Sequence, residues 1–287
     1  MPTFDTPAPI TLAIELGIAT VELVATDRID TVVDVQPSRP DPASEAAASE
    51  TVVEFAQGRL HVRTPKGWRR STGRWKRASV DVRIALPTGS DVQLEGGMVT
   101  LHSLGELGDF RARAGVGDFR VDQVASVDLK TGAGDISVNR VWGRAVVVTA
   151  SGSIGLRTID GPAVVKNANG DTWIGTVTDD LRVRAANGAI AVDRAGATVT
   201  AKSANGDVRL GGVAHGDVLA ESAHGGVEIG VGEGVTAWLD LHTSCGNVHN
   251  DLDVTGSPTA DDDTVSVRVR TGFGDITVQR SLAATAG

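Results

Sequence analysis

Aspartate follows glycine at Asp109, Asp118, Asp135, Asp171, Asp207 and Asp275. A carboxylate placed at a tight turn is the group that holds calcium in nonapeptide β-rolls. The stretch "GELGDFRARAGVGDF" even repeats Gly-Asp-Phe at nine residues. Such rolls need a further glycine and an aspartate one position later, whereas most copies here come once in about 18 residues, so these read as solvated turn carboxylates. The triplet Asp261, Asp262 and Asp263 lacks a glycine at a ligand-loop position and reads as a charged surface loop. His242, Cys245 and His249 offer two imidazoles and a thiol, enough for a two- or three-ligand zinc or copper site but short of the four ligands of a structural zinc site. Exposed histidines beside a turn thiol are the plainer reading, and no cofactor is expected. The chain has no Gly-x-Ser-x-Gly elbow, no Gly-Lys-Ser/Thr phosphate cradle, and no carboxylate cluster with a basic partner of the polysaccharide-lyase kind. No catalysis is expected.

One segment departs from the rest in composition. "KGWRRSTGRWKR", 66–77, holds Lys66, Arg69, Arg70, Arg74, Lys76 and Arg77 with Trp68 and Trp75, and no acid. Arginine and tryptophan are enriched at binding hot spots, so these eight residues are a candidate docking patch for an acidic or phosphate-bearing partner. The competing reading is a hairpin loop whose tryptophans cover an end of the fold while the cations stay solvated.

The elements that would position these groups come from a repeat. "NANGDTWI", "AANGAIAV" and "SANGDVRL" follow one another at 18-residue intervals. Anchored on glycine, the copies fall at Gly117, Gly134, Gly152, Gly170, Gly188, Gly206, Gly225, Gly246 and Gly274, with spacings of 17, 18, 18, 18, 18, 19, 21 and 28. Two residues beyond each anchor stands an apolar or β-branched residue, among them Ile136, Ile154, Ile190, Val208 and Val227. In most copies another aliphatic follows two later, and a second alternating run, such as Leu181, Val183 and Ala185, leads to the next glycine. Alternation means strands, two to a unit. Asn169, Asn187 and Asn205 precede their glycines, and Asn-Gly tolerates positive φ at both positions. Either a meander of antiparallel hairpins or a β-solenoid of stacked coils fits that pattern. The near-constant length favours the solenoid, because stacking equal coils sets like on like: an asparagine ladder, a glycine row with successive anchors about 5 Å apart, and aliphatic columns.

Fainter copies reach toward the N-terminus: "TVELVATD" (20–27) with "TVVDVQPS" (31–38), and "GGMVTLHSLGELGDFRARAGVGDF". The expected organisation is one domain over 1–287, with a Pro/Ala/acidic loop at 39–50, the basic loop at 66–77 and an acidic insertion at 251–264. With 41% hydrophobic residues but only 3% aromatics, and 35 glycines, the core must be thin and aliphatic. A net charge of -9 argues against a general nucleic-acid binder. The lone cysteine forbids an internal disulfide, the opening residues lack the pattern of a signal peptide, and no apolar run approaches the ~20 residues of a membrane span, so a cytoplasmic location is expected. Trp142, Trp173 and Trp238 fall out of phase with the inward positions and should be exposed.

The opening "FDTPAPITLAIELGIATVELVATDRIDTVVDVQPS" and the phrases "TGAGDISV", "SANGDVRL" and "TGFGDITV" resemble bacterial, especially actinobacterial, adhesin-like domains of unknown function. The resemblance covers almost the whole chain. It implies a right-handed β-helix-like solenoid and an adhesin role, and brings no catalytic residues. The function expected is therefore a non-catalytic interaction module whose partner is a protein or an acidic surface. A ligand-binding or polysaccharide-active protein using a groove on the coils is the alternative.

Overall fold

The computed structural model describes residues 1–64, 78–253 and 264–281. The basic segment at 66–77 and most of the acidic insertion, with Asp261, Asp262 and Asp263, lie outside the described residues. The chain divides into two compact units, Met1–Trp142 and Gly143–Gly287. In both, the repeat folds as parallel strands stacked rung on rung, a β-solenoid and not an antiparallel meander. Among the described residues no helix is long and apolar enough to cross a membrane.

The first unit runs through β1 (Thr3–Asp5), β2 (Thr11–Thr26), β3 (Asp30–Pro37), α1 (Pro42–Glu50), β4 (Val52–Ala56), β5 (Arg59–Arg63), β6 (Val80–Pro87), β7 (Asp91–Leu104), β8 (Glu106–Val116), β9 (Phe119–Ala133) and β10 (Ile136–Val141). β7, β8 and β9 stack in parallel, aligning Val92 with Phe110 and Phe110 with Val127, and β10 lies on the first half of β9 with Ile136 on Phe119. These inward positions are buried. The sequence reading fails here in two places. The run 31–38 is not the second strand of a coil: β3 pairs antiparallel with both β1 and β6. The segment 39–50 is not a loop throughout, because α1 occupies most of it. Asp41 caps that helix, its carboxylate accepting the amides of Ala43 and Ser44 at 3.0 Å each, with Pro42 in the first turn and alanines behind it. The Ser44 amide, foremost, holds the Asp41 carboxyl below its ordinary range. Alanine propensity and a good cap need no apolar period, which is why a periodicity search passes the helix by.

The second unit is the regular one. Its strands are β11 (Ala145–Ser151), β12 (Ile154–Ile159), β13 (Ala163–Asn169), β14 (Thr172–Val177), β15 (Leu181–Asn187), β16 (Ile190–Ala195), β17 (Val199–Asn205), β18 (Val208–Val213), β19 (Gly216–His224), β20 (Val227–Val231), β21 (Thr236–Cys245), β22 (Val248–Asn250), β23 (Thr264–Phe273) and β24 (Ile276–Arg280). Each rung is an odd-numbered strand, a corner at the anchor glycine, and the next even-numbered strand. Along one inner column Ile154, Thr172, Ile190, Val208, Val227 and Ile276 lie in register, all buried. Along another run Val147, Val165, Val183, Ala201, Ala220 and Val269.

Rung order departs from chain order in each unit. β23 pairs with β19 on one side and β21 on the other, while β24 lies between β20 and β22. The last rung in sequence is thus inserted inside the one before it, and Gly246 follows Gly274 rather than Gly225, contrary to stacking in sequence order. In the first unit β2 is likewise inserted, pairing with β7 along one edge and with β5 and β6 along the other. Parallel rungs of equal length offer the same edge to any successor, so local pattern sets the shape of a rung and not its place in the stack.

The corners explain the repeated phrase. Gly188 has φ +137°, and a Cβ there would lie 2.6 Å from the carbonyl carbon of Gly170 on the rung before. Only glycine meets both demands. The preceding asparagines do not adopt positive φ; among the described residues Gln57 is the one non-glycine that does. Their task is lateral: the Asn205 amide donates to Asn187 Oδ1, and Asn187 to Asn169 Oδ1, at 2.8 Å each. Three residues before five of the anchors sits a small polar group, Asn167, Ser203, Ser222, Thr243 or Thr271, which donates to the glycine carbonyl of the adjacent rung, whereas Thr131 and Thr149 in the same place donate to Ala133 O and Ser151 O. At the one rung with Ala185 in this place, Asn167 donates to the carbonyls of both Gly152 and Gly170, at 2.9 Å each, and so replaces the missing hydroxyl.

Candidate functional site

The turn aspartates have a structural occupation. Asp171 Oδ1 accepts the amide of Ala189, Asp207 Oδ1 that of Gly226, and Asp275 Oδ1 that of Asn247, at 2.7–2.9 Å. Asp118 takes the amide of Asp135 and Asp91 that of Asp109 in the same way. Each donor sits at or beside the equivalent position one rung away, so the carboxylates staple the corners together. They are therefore less free than the solvated groups anticipated. His242 and Cys245 lie on β21 and His249 on β22, all exposed. Among the described residues no three His, Cys, Asp or Glu side chains gather as a metal site.

A surface with ligand-sized relief lies on the even-numbered strands of the second unit. Outward positions five beyond the anchors are Gly175 on β14, Asp193 on β16, Gly211 on β18 and Gly230 on β20, with Gly212 beside Gly211. Lacking side chains, Gly211, Gly212 and Gly230 set the floor back between taller neighbours and leave a groove of about 700 Å³. These glycines are a packing requirement as well: a Cβ on Gly211 would come within 2.8 Å of the Asp193 carbonyl oxygen. The periodicity reading took glycine only for turns and missed this floor; the regular +5 offset from Gly170, Gly206 and Gly225 is the signal that marks it.

Trp173 forms one wall. Its indole N–H donates to both carboxylate oxygens of Asp193 at 3.2 Å, and the far edge of its ring lies over Gly175. The ring is held at both ends yet remains 40% exposed. On the opposite side Gln279 donates to Glu228 at 2.9 Å, Arg209 approaches the same carboxylate at 3.7 Å, and Arg280 is fixed by the carbonyls of Gly232 and Val235. Arg194 and Glu233 complete the lining. The acids Asp193, Glu228 and Glu233 equal in number the cations Arg194, Arg209 and Arg280, so the groove is electrically balanced in a chain that is not.

The family model described as Toastrack DUF4097 matches residues 12–279. The chain belongs to this family. No curated protein matches it. Among solved structures it is similar to an adhesin-like protein from Parabacteroides distasonis, at 12% identity over 96% of this chain and 95% of that one, with a TM-score of 0.41. An adhesin-like protein from Bacteroides fragilis is similar at 11% identity over the same shares, with a TM-score of 0.36. Neither likeness carries a site or a ligand across. In this Toastrack chain Trp142 and Trp238 are exposed as expected, at 45% and 64%. Trp142 differs from Trp173 in that the Arg140 guanidinium already stacks on its ring, 3.9 Å from the centroid.

Proposed function

We propose that the chain is a non-catalytic interaction module of adhesin-like type that presents repeated, stiff faces to a protein partner or an acidic surface. The observation that supports this reading is the use made of the outward polar groups. Asn169, Asn187 and Asn205 bond one another, the turn aspartates hold the amides of neighbouring rungs, and Lys202 pairs with Glu221 at 2.7 Å. Groups bound rung to rung stiffen a surface and favour many-point contact, whereas a general acid or base must be free to exchange a proton with substrate. The eight residues Lys66, Trp68, Arg69, Arg70, Arg74, Trp75, Lys76 and Arg77 supply the cationic anchor in this proposal. A polyglutamate-coated surface serves as the acidic probe. Replacing Arg69, Arg70, Arg74 and Trp75 together by alanine lowers retention roughly tenfold or more, because bidentate arginine contacts to carboxylates are lost. Melting shifts by less than about 2 °C if the segment only docks. Undiminished retention removes the segment as the anchor, and a large drop in melting temperature shows that it caps the fold instead.

A further inference from the structure

We infer that the groove over Gly211, Gly212 and Gly230 is a binding site for a neutral oligosaccharide, with the Trp173 ring as its stacking platform. The inference rests on the non-catalytic reading above and names a ligand class for one face of the module.

Three features select that class. A flat aromatic ring that is half exposed and already fixed loses little freedom when the apolar face of a pyranose lies on it. Trp173 is such a ring, tied to Asp193 by its N–H and resting on Gly175. The polar lining consists of carboxylates, guanidinium groups and an amide, planar groups that accept from and donate to neighbouring hydroxyls in pairs. Three acids against three arginines leave no net field to attract a charged ligand, so a polyanion or polycation gains nothing here over the open surface. The floor crosses β14, β16, β18, β20 and β24, four steps of about 4.8 Å, or roughly 19 Å in all. Each step is comparable to the length of one hexose along a glycan, so the groove has room for a short oligosaccharide with one unit on Trp173 and the others against the polar groups of the following rungs.

Gly212 allows a test that spares the platform. A Cβ there has nothing nearer than the Asp193 carbonyl oxygen at 3.5 Å, so Gly212→Phe fills the groove without backbone strain. The full chain is applied to an array of neutral hexose and N-acetylhexosamine oligosaccharides together with their uronic-acid and sulfated counterparts. The expected result is binding to at least one neutral oligosaccharide, weakened tenfold or more by Trp173→Ala and by Gly212→Phe and unchanged by Trp142→Ala. If Trp173→Ala melts early, Gly212→Phe alone decides. Binding to acidic glycans only, binding that survives both groove variants, or no glycan binding overturns the inference. Mass spectrometry of the recovered oligosaccharide keeps the two readings apart. A shortened glycan contradicts the non-catalytic reading and leaves the groove in place, while an intact chain bound to no glycan sinks the groove alone.

Discussion

Ile190→Asp lowers the thermal transition of the second unit by about 10 °C or more. Ile190 is 1% exposed and stands in the inner column between Thr172 and Val208. A carboxylate there enters a thin aliphatic core with no partner for its charge, which costs on the order of 3–5 kcal/mol, a large part of the stability of an ordinary domain. Burial raises the pKa of this carboxyl in the folded chain, so the loss is smallest below about pH 4, where the group is protonated in folded and unfolded chains alike, and grows as pH rises toward the raised folded-state value. The same charge placed at the exposed Ala204 changes stability by no more than about 0.5 kcal/mol. Circular dichroism melts of both variants settle the matter. A transition for Ile190→Asp within a few degrees of the parent contradicts the inward assignment.

Gly188→Val has a comparable effect through a different cause. The new side chain meets positive φ, disfavoured most for β-branched residues, and its Cβ falls inside the carbonyl group of Gly170. Gly170 cannot move aside, because its own amide donates to Asn187 O at 2.9 Å on the rung being built. Backbone strain and overpacking each contribute about 1–3 kcal/mol, and together they unlock the corner column at that rung. Gly212→Ala is the control, since it has neither positive φ nor a close neighbour, and it leaves the melting temperature unchanged or slightly raised. Equal melting of the two glycine variants means that the corners do not carry the stack.

The features legible in the sequence are those that one rung imposes on the next. Equal spacing of Gly152, Gly170, Gly188 and Gly206 follows from the carbonyl contact just described, and the asparagine ladder and the column through Ile154, Ile190 and Val208 are like residues meeting like. Asp171 and Asp207 were visible as a pattern but not as staples, because a turn carboxylate has the same sequence signature whether it faces water, calcium or a backbone amide. The donor column at Asn167, Ser203 and Ser222 lies at a fixed offset of three from the glycine, and its polar residues sit among inward positions that an apolar search discounts. The groove was hidden by the glycine itself, which serves at Gly188 as a corner and at Gly230 as a floor. Trp173 could be foreseen as exposed; its bond to Asp193 joins positions 20 residues apart and exists only once the rungs stack.

Rung order is the strongest departure from the sequence, and the native Cys245 reports on it directly. Phe273 is the register partner of Cys245 on β21 and of His224 on β19, and the His224 and Phe273 rings stack with centroids 5.1 Å apart. Adjacent parallel strands bring aligned Cα atoms to about 4.8 Å, within disulfide reach, whereas two steps put them near 9.6 Å, beyond it. With Cys245 as the sole native thiol, Phe273→Cys and His224→Cys are made singly, oxidised under mild conditions and mapped by peptide mass spectrometry. A parallel solenoid with its last rung inserted predicts a 245–273 disulfide in high yield and no 224–245 disulfide. A 224–245 disulfide would mean that rungs stack in chain order, and failure of both pairs would contradict parallel in-register stacking at this end of the fold.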